Sequence, residues 1–373
     1  MEKLYSALSV TAILGLAGCA AQPAYQPPKV DNTPVHPTAV IHATTLMQGS
    51  ILPNFHGTEV AYTRADRRTI DNQSKVDSWW GKMLFGDLHT ADIFRLDETK
   101  AYKVNFDKQA YWECGVESCP SVLNLIRAAS DSSADDRKED HYDPNGTAEC
   151  PLHMTKHGFT VTNTGQAKTL NGYPAHLYRA TWNLVYEDTA HRQDVNKLQI
   201  DFWITPATGE MKQVWAIHQK ATDTYIKEAH LQNNPLAKFL PEDVFRALSA
   251  FSGDTDSSKQ AWHNDVSRKL ARIKGYPLSI DLNWYVQGNA CPDDSGQTAD
   301  AAGAATDPTG ALESMAGKLF GNAVKSHFEP KADKPVFHYL FQVQSAKVEP
   351  VHDSVFEVPK GFVKKPLPKM GHS

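Results

Sequence analysis

The chain has 373 residues, a formal net charge of −5 and 41% hydrophobic residues, which is enough for one large domain or two ordinary ones. Because the charge is mild and no run of basic residues occurs, nucleic acid and anionic membrane surfaces are not expected partners. The catalytic motifs G-x-S-x-G, H-E-x-x-H and G-x-G-x-x-G are absent from the sequence. We therefore expect a protein that is not an enzyme and carries no cofactor.

The N-terminus predicts a secretory signal peptide over residues 1–18. A charged start is followed by an apolar run from Leu4 to Leu16 that is too short to span a bilayer, and then by small residues. The ending Leu16-Ala17-Gly18-Cys19 resembles the lipobox of bacterial lipoproteins. This resemblance implies that Cys19 is acylated and anchors the mature chain in the lipid bilayer, and Ala20 after it implies the periplasmic face of the outer membrane. The alternative is an ordinary signal peptide in which Cys19 is incidental.

Residues 19–55 are expected to form the lipidated N-terminus and a proline-rich tether, because they combine six prolines with little apolar periodicity. Apart from Cys19, the chain has four cysteines, an even number that predicts two disulfides in an exported protein. The four residues are Cys114, Cys119, Cys150 and Cys291. We favour Cys114–Cys119 with Cys150–Cys291, since the short first loop closes easily, but all three connectivities stay open.

Residues 56–363 are expected to form a single domain, with insertions near 131–150 and 291–317 and a tail over 364–373. Its dominant period is two, which is typical of half-buried strands. Apolar side chains share one face in stretches around Tyr102–Phe106, Tyr178–Tyr186, Leu198–Ile204, Leu278–Val286 and Phe337–Val343. Turn signals such as Ala207-Thr208-Gly209 separate consecutive strands, so neighbouring strands are expected to be antiparallel.

Helical patterns are fewer. They cover residues 241–253 and 257–275, where proline, acidic and glycine residues mark the ends, and a shorter helix is expected over residues 120–130. The predicted fold class is therefore α+β: one curved antiparallel sheet with helices packed on one side.

Several motifs in this order resemble a family of uncharacterised exported bacterial lipoproteins. The most specific are Asn171–Ala175 (NGYPA) and Phe356–Phe362 (FEVPKGF). The fold of that family is similar to the half-barrel of the lipoprotein carriers (LolA/LolB-like), which implies a slot for acyl chains between the curved sheet and its helices. Aromatic residues of the alternating strands are candidates for lining it, or else fill the core: Trp182, Tyr186, Trp203, Trp215, Trp284 and Tyr339.

One cluster of potential metal ligands occurs at Cys150, His153 and His157. If Cys150 forms a disulfide, only a His-x-x-x-His pair remains, which is useful only on a helix; we therefore expect no metal site and treat the two histidines as weak candidates. The sequence favours a membrane-anchored protein that binds a lipid or an acylated ligand. The alternative is an envelope scaffold that binds another protein through its insertions or its sheet edge.

Overall fold

The computed structural model describes residues 25, 27, 30–49, 54–77, 88–116, 151, 153–230, 268–290 and 334–367. Several predictions fall outside these residues: the signal peptide, Cys19, the helices over 120–130 and 241–253, and most of both insertions. The helix predicted over 257–275 is described only at its end, where residues 268–270 are helical.

The described chain folds mainly into one large open sheet of twelve strands, which is curved but not closed. The order of the strands is β12-β6-β5-β4-β3-β2-β1-β11-β10-β9-β8-β7, and every pair is antiparallel except β12 with β6. The strands are β1 Val35–Gly49, β2 Phe55–Thr63, β3 Arg67–Val76, β4 Leu88–Arg95, β5 Lys100–Asn105, β6 Ala110–Gly115, β7 His153–Leu170, β8 Tyr173–Glu187, β9 Gln193–Thr205, β10 Tyr276–Gly288, β11 Phe337–His352 and β12 Val363–Lys364.

The sheet consists of two arms that follow the chain. Strands β2 to β6 extend in sequence order from one side of β1, and β11 to β7 extend in reverse order from its other side. Within each arm sequential strands are neighbours, so short hairpins connect many of them. The turn between β7 and β8 is Asn171-Gly172, with φ angles of 47° and 87°, as a two-residue hairpin requires.

The prediction that residues 19–55 form a tether is wrong for residues 35–49. These residues form β1, which pairs with β11 along its length and with β2 from Ala39 to Met47. Ala39, Ile41 and Ala43 are at most 3% exposed. The segment is therefore part of the core of the sheet, and the folded domain begins well before residue 56.

One α-helix, α1 (Gly209–Glu228), follows β9. Ala207-Thr208-Gly209 therefore leads into a helix rather than into another strand, and the expectation of a strand-to-strand turn is wrong here. Helix α1 packs against β11, β1 and β2, and we call this side of the sheet the inner face. The described residues are mostly sheet and contain fewer helices than the sequence predicts.

The C-terminal segment after β11 covers part of the outer face. A 3-10 helix (Asp353–Phe356) buries Phe356 completely, and Val358 and Phe362 pack onto the cluster of Ala91, Ile93 and Val104 in the first arm. The segment then adds β12 to the edge of β6. The FEVPKGF motif is therefore a structural cover for the arm formed by β3 to β6.

Gly275 allows β10 to begin close to the end of β9. Its φ is 121°, and a Cβ atom there would lie 2.3 Å from the backbone oxygen of Thr205. Gly172 also has a positive φ, but a Cβ atom there would meet nothing within 4 Å. Both glycines therefore adopt a positive φ that other residues disfavour. Only at Gly275 would a Cβ atom also clash with neighbouring atoms.

We predict that Gly275→Ala lowers the free energy of unfolding more than Gly172→Ala does. Positive φ alone costs a non-glycine residue about 1–2 kcal/mol, whereas a clash with rigid backbone raises the total to about 3 kcal/mol or more. Equilibrium urea unfolding of the two variants measures the difference. Equal losses in both would contradict the close approach of β9 and β10.

Candidate functional site

The inner face carries a continuous row of large apolar side chains. The register of β7 to β11 places one residue from each strand side by side, in the order Phe159, Trp182, Leu198, Trp284 and Phe337. We call these five residues the aromatic row. Phe159 is buried, and the other four are half-buried. A row of large apolar side chains that spans five strands and stays partly accessible to solvent is uncommon on the surface of a soluble protein.

The rows next to it are filled by the protein itself. Ile200, Phe202, Ile280 and Leu282 lie on the same face and are at most 3% exposed. Part of the cover comes from Met211 and Val214 of α1 and from Leu270, which are at most 2% exposed and belong to the same core. The centre of the inner face is therefore closed, and the aromatic row is the more accessible part.

The structure places the six predicted lining residues in different surroundings. Trp182 and Trp284 belong to the aromatic row, with Leu198 between them, and Tyr339 lies in the adjacent row opposite Leu282. Tyr186 is buried against Ala290. Trp215 lies on α1, with its ring centre 5.4 Å from that of Tyr276.

Trp203 does not share a face with Trp182 and Trp284. It alternates with Phe202 and Ile204 along β9, so its side chain points to the outer face. There the Nζ atom of Lys168 lies 3.9 Å from the centre of the Trp203 ring. This residue therefore cannot line the same surface as the aromatic row.

The weak metal candidates His153 and His157 lie on β7, not on a helix. Four residues of strand separate them, a distance of roughly 13 Å. The helical spacing that would bring both imidazoles to one ion is therefore not formed. Among the residues that the structure describes, no group of three or more potential ligands is suited to a metal ion.

Of the four cysteines predicted to form disulfides, Cys114 is the one that lies within the described residues. Cys114 lies on β6 and is 6% exposed, with its Sγ atom 3.4 Å from the carbonyl oxygen of Ala101. Cys119, Cys150 and Cys291 lie outside the described residues. Both disulfides and their connectivity therefore stay predictions.

A polar cavity of about 670 Å³ lies beside α1. Its charged side chains are largely paired with one another: Arg64 with Asp353, and Arg67 with Asp66 and Asp97. Hydrogen bonding to Arg64 lowers the pKa of Asp353. Arg64 also donates to Thr38 Oγ1 and to the carbonyl oxygen of Val351. This pairing indicates that the walls of the cavity hold the strands and the C-terminal segment together.

A second polar group lies beneath α1, between the helix and the inner face. We call Thr63, Arg68, His218 and Tyr276 the donor cluster. Thr63 and Arg68 are directly opposite each other on β2 and β3. The ring centres of His218 and Tyr276 are 5.8 Å apart, and the charge of Arg68 acts on both rings.

The donor cluster contains buried polar atoms without partners. Thr63 Oγ1, Arg68 Nε and His218 Nε2 accept or donate no hydrogen bond within the part of the chain that the structure describes. Burial, and secondarily the charge of Arg68, lowers the pKa of His218 from 6.5 to about 3. Burial raises the pKa of Tyr276. The buried side chain of Glu59 also acts on Tyr276 and raises its pKa. The cluster therefore combines the guanidinium of Arg68 with a neutral imidazole and two hydroxyl groups, beside the carboxyl group of Glu59.

The sequence of α1 has the apolar periodicity of a helix, which the prediction of a turn between two strands did not take into account. Met211, Val214, His218 and Ala221 repeat every three or four residues and are all buried on one side of the helix, as an amphipathic helix requires. The position of His218 inside this apolar stripe marks it as a buried histidine. Its neighbours Arg68 and Tyr276, in contrast, become adjacent only through the sheet.

Comparison of the chain with protein-family models, with curated proteins and with solved structures found no match. The resemblance to exported lipoproteins with a carrier-like half-barrel therefore remains an expectation from the sequence. None of the helices in the described ranges has the length and apolarity needed to cross a membrane.

We predict that His218→Gln reduces the loss of stability on acidification between about pH 6 and pH 4. Because the folded pKa of His218 lies below its ordinary value, the unfolded chain binds more protons in this window and stability falls as the pH falls. The group contributes a slope of about 1.4 kcal/mol per pH unit in that window. Urea unfolding at several pH values measures this slope.

His191 provides the matched control. It lies on an exposed turn, where a hydrogen bond to Glu187 raises its pKa. The sign of its contribution is therefore opposite, and His191→Gln should not reduce the acid-side loss. An unchanged slope in His218→Gln would show that the imidazole is not buried in the neutral form.

Proposed function

We propose that this protein is a non-enzymatic, lipid-anchored envelope protein that binds an apolar or acylated ligand on the inner face of its sheet. The observation that carries the proposal is the aromatic row, in which four of five large side chains in register across five strands remain half-buried. Single large aromatic side chains are seldom buried completely, but a contiguous row of them that stays partly accessible is typical of a binding surface. A surface of this kind stabilises an apolar ligand by the area that both remove from water.

The proposed anchor is Cys19, and the structure limits how far it can lie from the domain. The ring of Tyr25 lies 5.1 Å from the ring of Phe362 and 5.5 Å from that of Phe106. The chain from Cys19 to Tyr25 spans at most about 20 Å when fully extended. If Cys19 is acylated, the corner of the sheet formed by Phe106 and Phe362 is held close to the membrane surface.

The alternative of a protein-binding scaffold would use the insertions or an edge of the sheet. One such edge is β7, which pairs only with β8 among the described strands. Two register shifts interrupt this edge, near Thr155 and near Gly165. Lys156 and Lys168 add charge along it. Bulges and lysines are features that discourage the addition of a further strand, so this edge gives the scaffold alternative little support.

We predict that Trp284→Ala weakens the binding of a neutral apolar dye such as Nile red by about tenfold or more, since a large aromatic side chain contributes about 1.5–3 kcal/mol of burial. The full chain carrying Cys19→Ser is used, so that no covalent acyl chain competes with the dye. Dye fluorescence during titration measures the dissociation constant.

Trp203→Ala is the matched control, because it removes the same side chain from the outer face. Its dissociation constant should stay within a factor of two or three of the parent's, the usual scatter of such contributions. Absence of dye binding by the parent chain, or an equal loss in both tryptophan variants, would contradict a ligand site at the aromatic row.

We predict that Cys19 carries the membrane anchor. Cells expressing the chain and fed radiolabelled palmitate should yield a labelled protein that sediments with membranes, because several acyl chains bind a bilayer firmly. Cys19→Ala should lose both the label and the sedimentation, whereas Cys114→Ala should keep the label. Label that persists in Cys19→Ala would place the anchor elsewhere.

A further inference from the structure

We propose that one corner of the sheet binds the surface of a bilayer that contains anionic lipids. This corner consists of residues 106–109 and 360–367, and we call it the β12 corner. The proposal rests on the lipid anchor proposed above, because Cys19 would hold this corner within reach of a bilayer. It adds that the protein surface itself, and not only the acyl chains, contacts the lipid head groups.

Two segments that are distant in sequence form the β12 corner. The backbone N–H of Val363 donates to the carbonyl oxygen of Gln109 at 2.9 Å. The rings of Phe106 and Phe362 pack edge to face, with their centres 5.7 Å apart. The turn of the β5–β6 hairpin is therefore held against the C-terminal segment.

The β12 corner gathers positive charge that the sequence does not show as a run. It contains four lysines and one aspartate, a net charge of +3 in a chain whose net charge is −5. Lys364 binds Glu113, and Asp107 accepts a hydrogen bond from the backbone N–H of His89. The other three lysines are exposed and form no ion pair within the part of the chain that the structure describes: Lys108, Lys360 and Lys365.

Unpaired lysines of this kind match an anionic lipid surface, which attracts each lysine that comes close to it. Anionic membrane surfaces are not expected partners on the basis of the sequence, because the overall charge is mild and no basic run occurs. The fold changes this expectation, since it places lysines of two segments at one corner.

Exposed apolar side chains accompany the lysines. Val363 is 55% exposed and Leu367 is 42% exposed. Val30, which is 70% exposed, lies in the N-terminal segment that follows Tyr25. Apolar side chains next to cations are typical of surfaces that insert shallowly among lipid head groups, because the apolar groups leave water while the charges stay at the interface.

The course of the N-terminal chain indicates a bilayer as the occupant. Tyr25 packs against Phe106 and Phe362, so the chain joins the domain at the β12 corner. The residues between Cys19 and Tyr25 span at most about 20 Å. The corner therefore lies next to whatever surface holds Cys19, and in the proposed function that surface is a bilayer.

Binding at this corner would also orient the sheet. Strand β12 is at one end of the strand order, and six strands separate it from β11, the nearest strand of the aromatic row. The arm that carries the aromatic row would then extend away from the bilayer. A ligand could reach the row without passing beneath the docked edge.

The test measures cosedimentation of residues 19–373 carrying Cys19→Ser with lipid vesicles. This chain keeps every described residue and lacks the predicted signal peptide and acyl chains, which bind lipid by themselves. We expect vesicles of phosphatidylglycerol and phosphatidylcholine to bind it about tenfold or more tightly than vesicles of phosphatidylcholine alone. This preference should disappear in about 0.5 M sodium chloride, which screens exposed charges.

Two triple variants locate the attraction. The first replaces the unpaired lysines of the β12 corner and should lower the affinity for the anionic vesicles about tenfold or more: Lys108→Gln, Lys360→Gln and Lys365→Gln. The matched control removes the same charge from exposed positions on β7 and α1 and should change that affinity by a factor of about two or less: Lys156→Gln, Lys212→Gln and Lys220→Gln.

Leu367→Gln tests the apolar contribution. It should weaken binding to both kinds of vesicle severalfold, because it removes an apolar side chain from the interface. Met154→Gln is its control, since Met154 is 49% exposed on β7 at the opposite edge of the sheet, and binding should not change.

Every outcome decides the proposal. Equal binding of the parent chain to both kinds of vesicle, or binding to neither, would overturn it. Equal losses in the two triple variants would show attraction without a preferred corner and would also overturn it. Exposed lysines without partners contribute little to stability, and thermal unfolding confirms that the variants are folded. Palmitate labelling of Cys19 tests the anchor separately: label without vesicle binding leaves the anchor and removes the docking corner, whereas vesicle binding without label does the reverse.

Discussion

The pairing of β1 with β11 is the interaction on which the rest of the structure depends. It joins Val35–Gly49 near one end of the chain to Phe337–His352 near the other, with a single register shift between His42 and Ala43. Hairpins such as β4–β5 and β7–β8 are local in sequence, whereas β9–β10 and β10–β11 pair across long connections. The β1–β11 ladder joins the two arms into one sheet. Arg64 reinforces it, because one guanidinium binds Thr38 on β1, the carbonyl oxygen of Val351 on β11, and Asp353 beyond β11. An ordered contact of such large sequence separation forms slowly and holds the fold together once formed.

Much of the sheet could be predicted, because apolar and polar residues alternate within each strand independently of its neighbours. Val104, with Tyr102 and Phe106, indeed packs in one cluster, and the faces predicted for β8 to β11 are those that meet in the core. The sequence does not predict β1, because Pro37 within it and the prolines that precede it suggest a tether. Pro37 lies opposite Pro350, before the first residue that pairs with β2. A strand with a neighbour on one side only can tolerate a residue that has no N–H group. The rule that excludes proline from central strands therefore did not apply to this end of β1.

The candidate sites depend on register, which a single sequence does not determine. Trp182 and Trp284 are each recognisable as inward-facing, but their position on either side of Leu198 requires the pairing of three strands. The donor cluster is harder to predict from the sequence, because its members come from three separate elements. Arg68 lies on β3 of the first arm, His218 on α1 and Tyr276 on β10 of the second arm. Only the β1–β11 junction brings these three elements together. The same long-range pairing that completes the sheet therefore also assembles the polar cluster.

The small side chains beneath α1 explain why that cluster is buried at all. Ala39, Ala61 and Ala346 are at most 3% exposed on the three strands that the helix contacts, and side chains this short allow a helix to approach the sheet closely. The close approach seals His218 away from water, which is why its pKa falls to about 3. A fold selected only for stability would place an apolar residue in such a sealed position, because an unpartnered buried donor destabilises the fold by about 1–3 kcal/mol. Local rules of this kind are broken most often at functional sites. The close approach of α1 to the sheet and the burial of the unpartnered donors beneath it therefore share one cause, the small side chains of β1, β2 and β11.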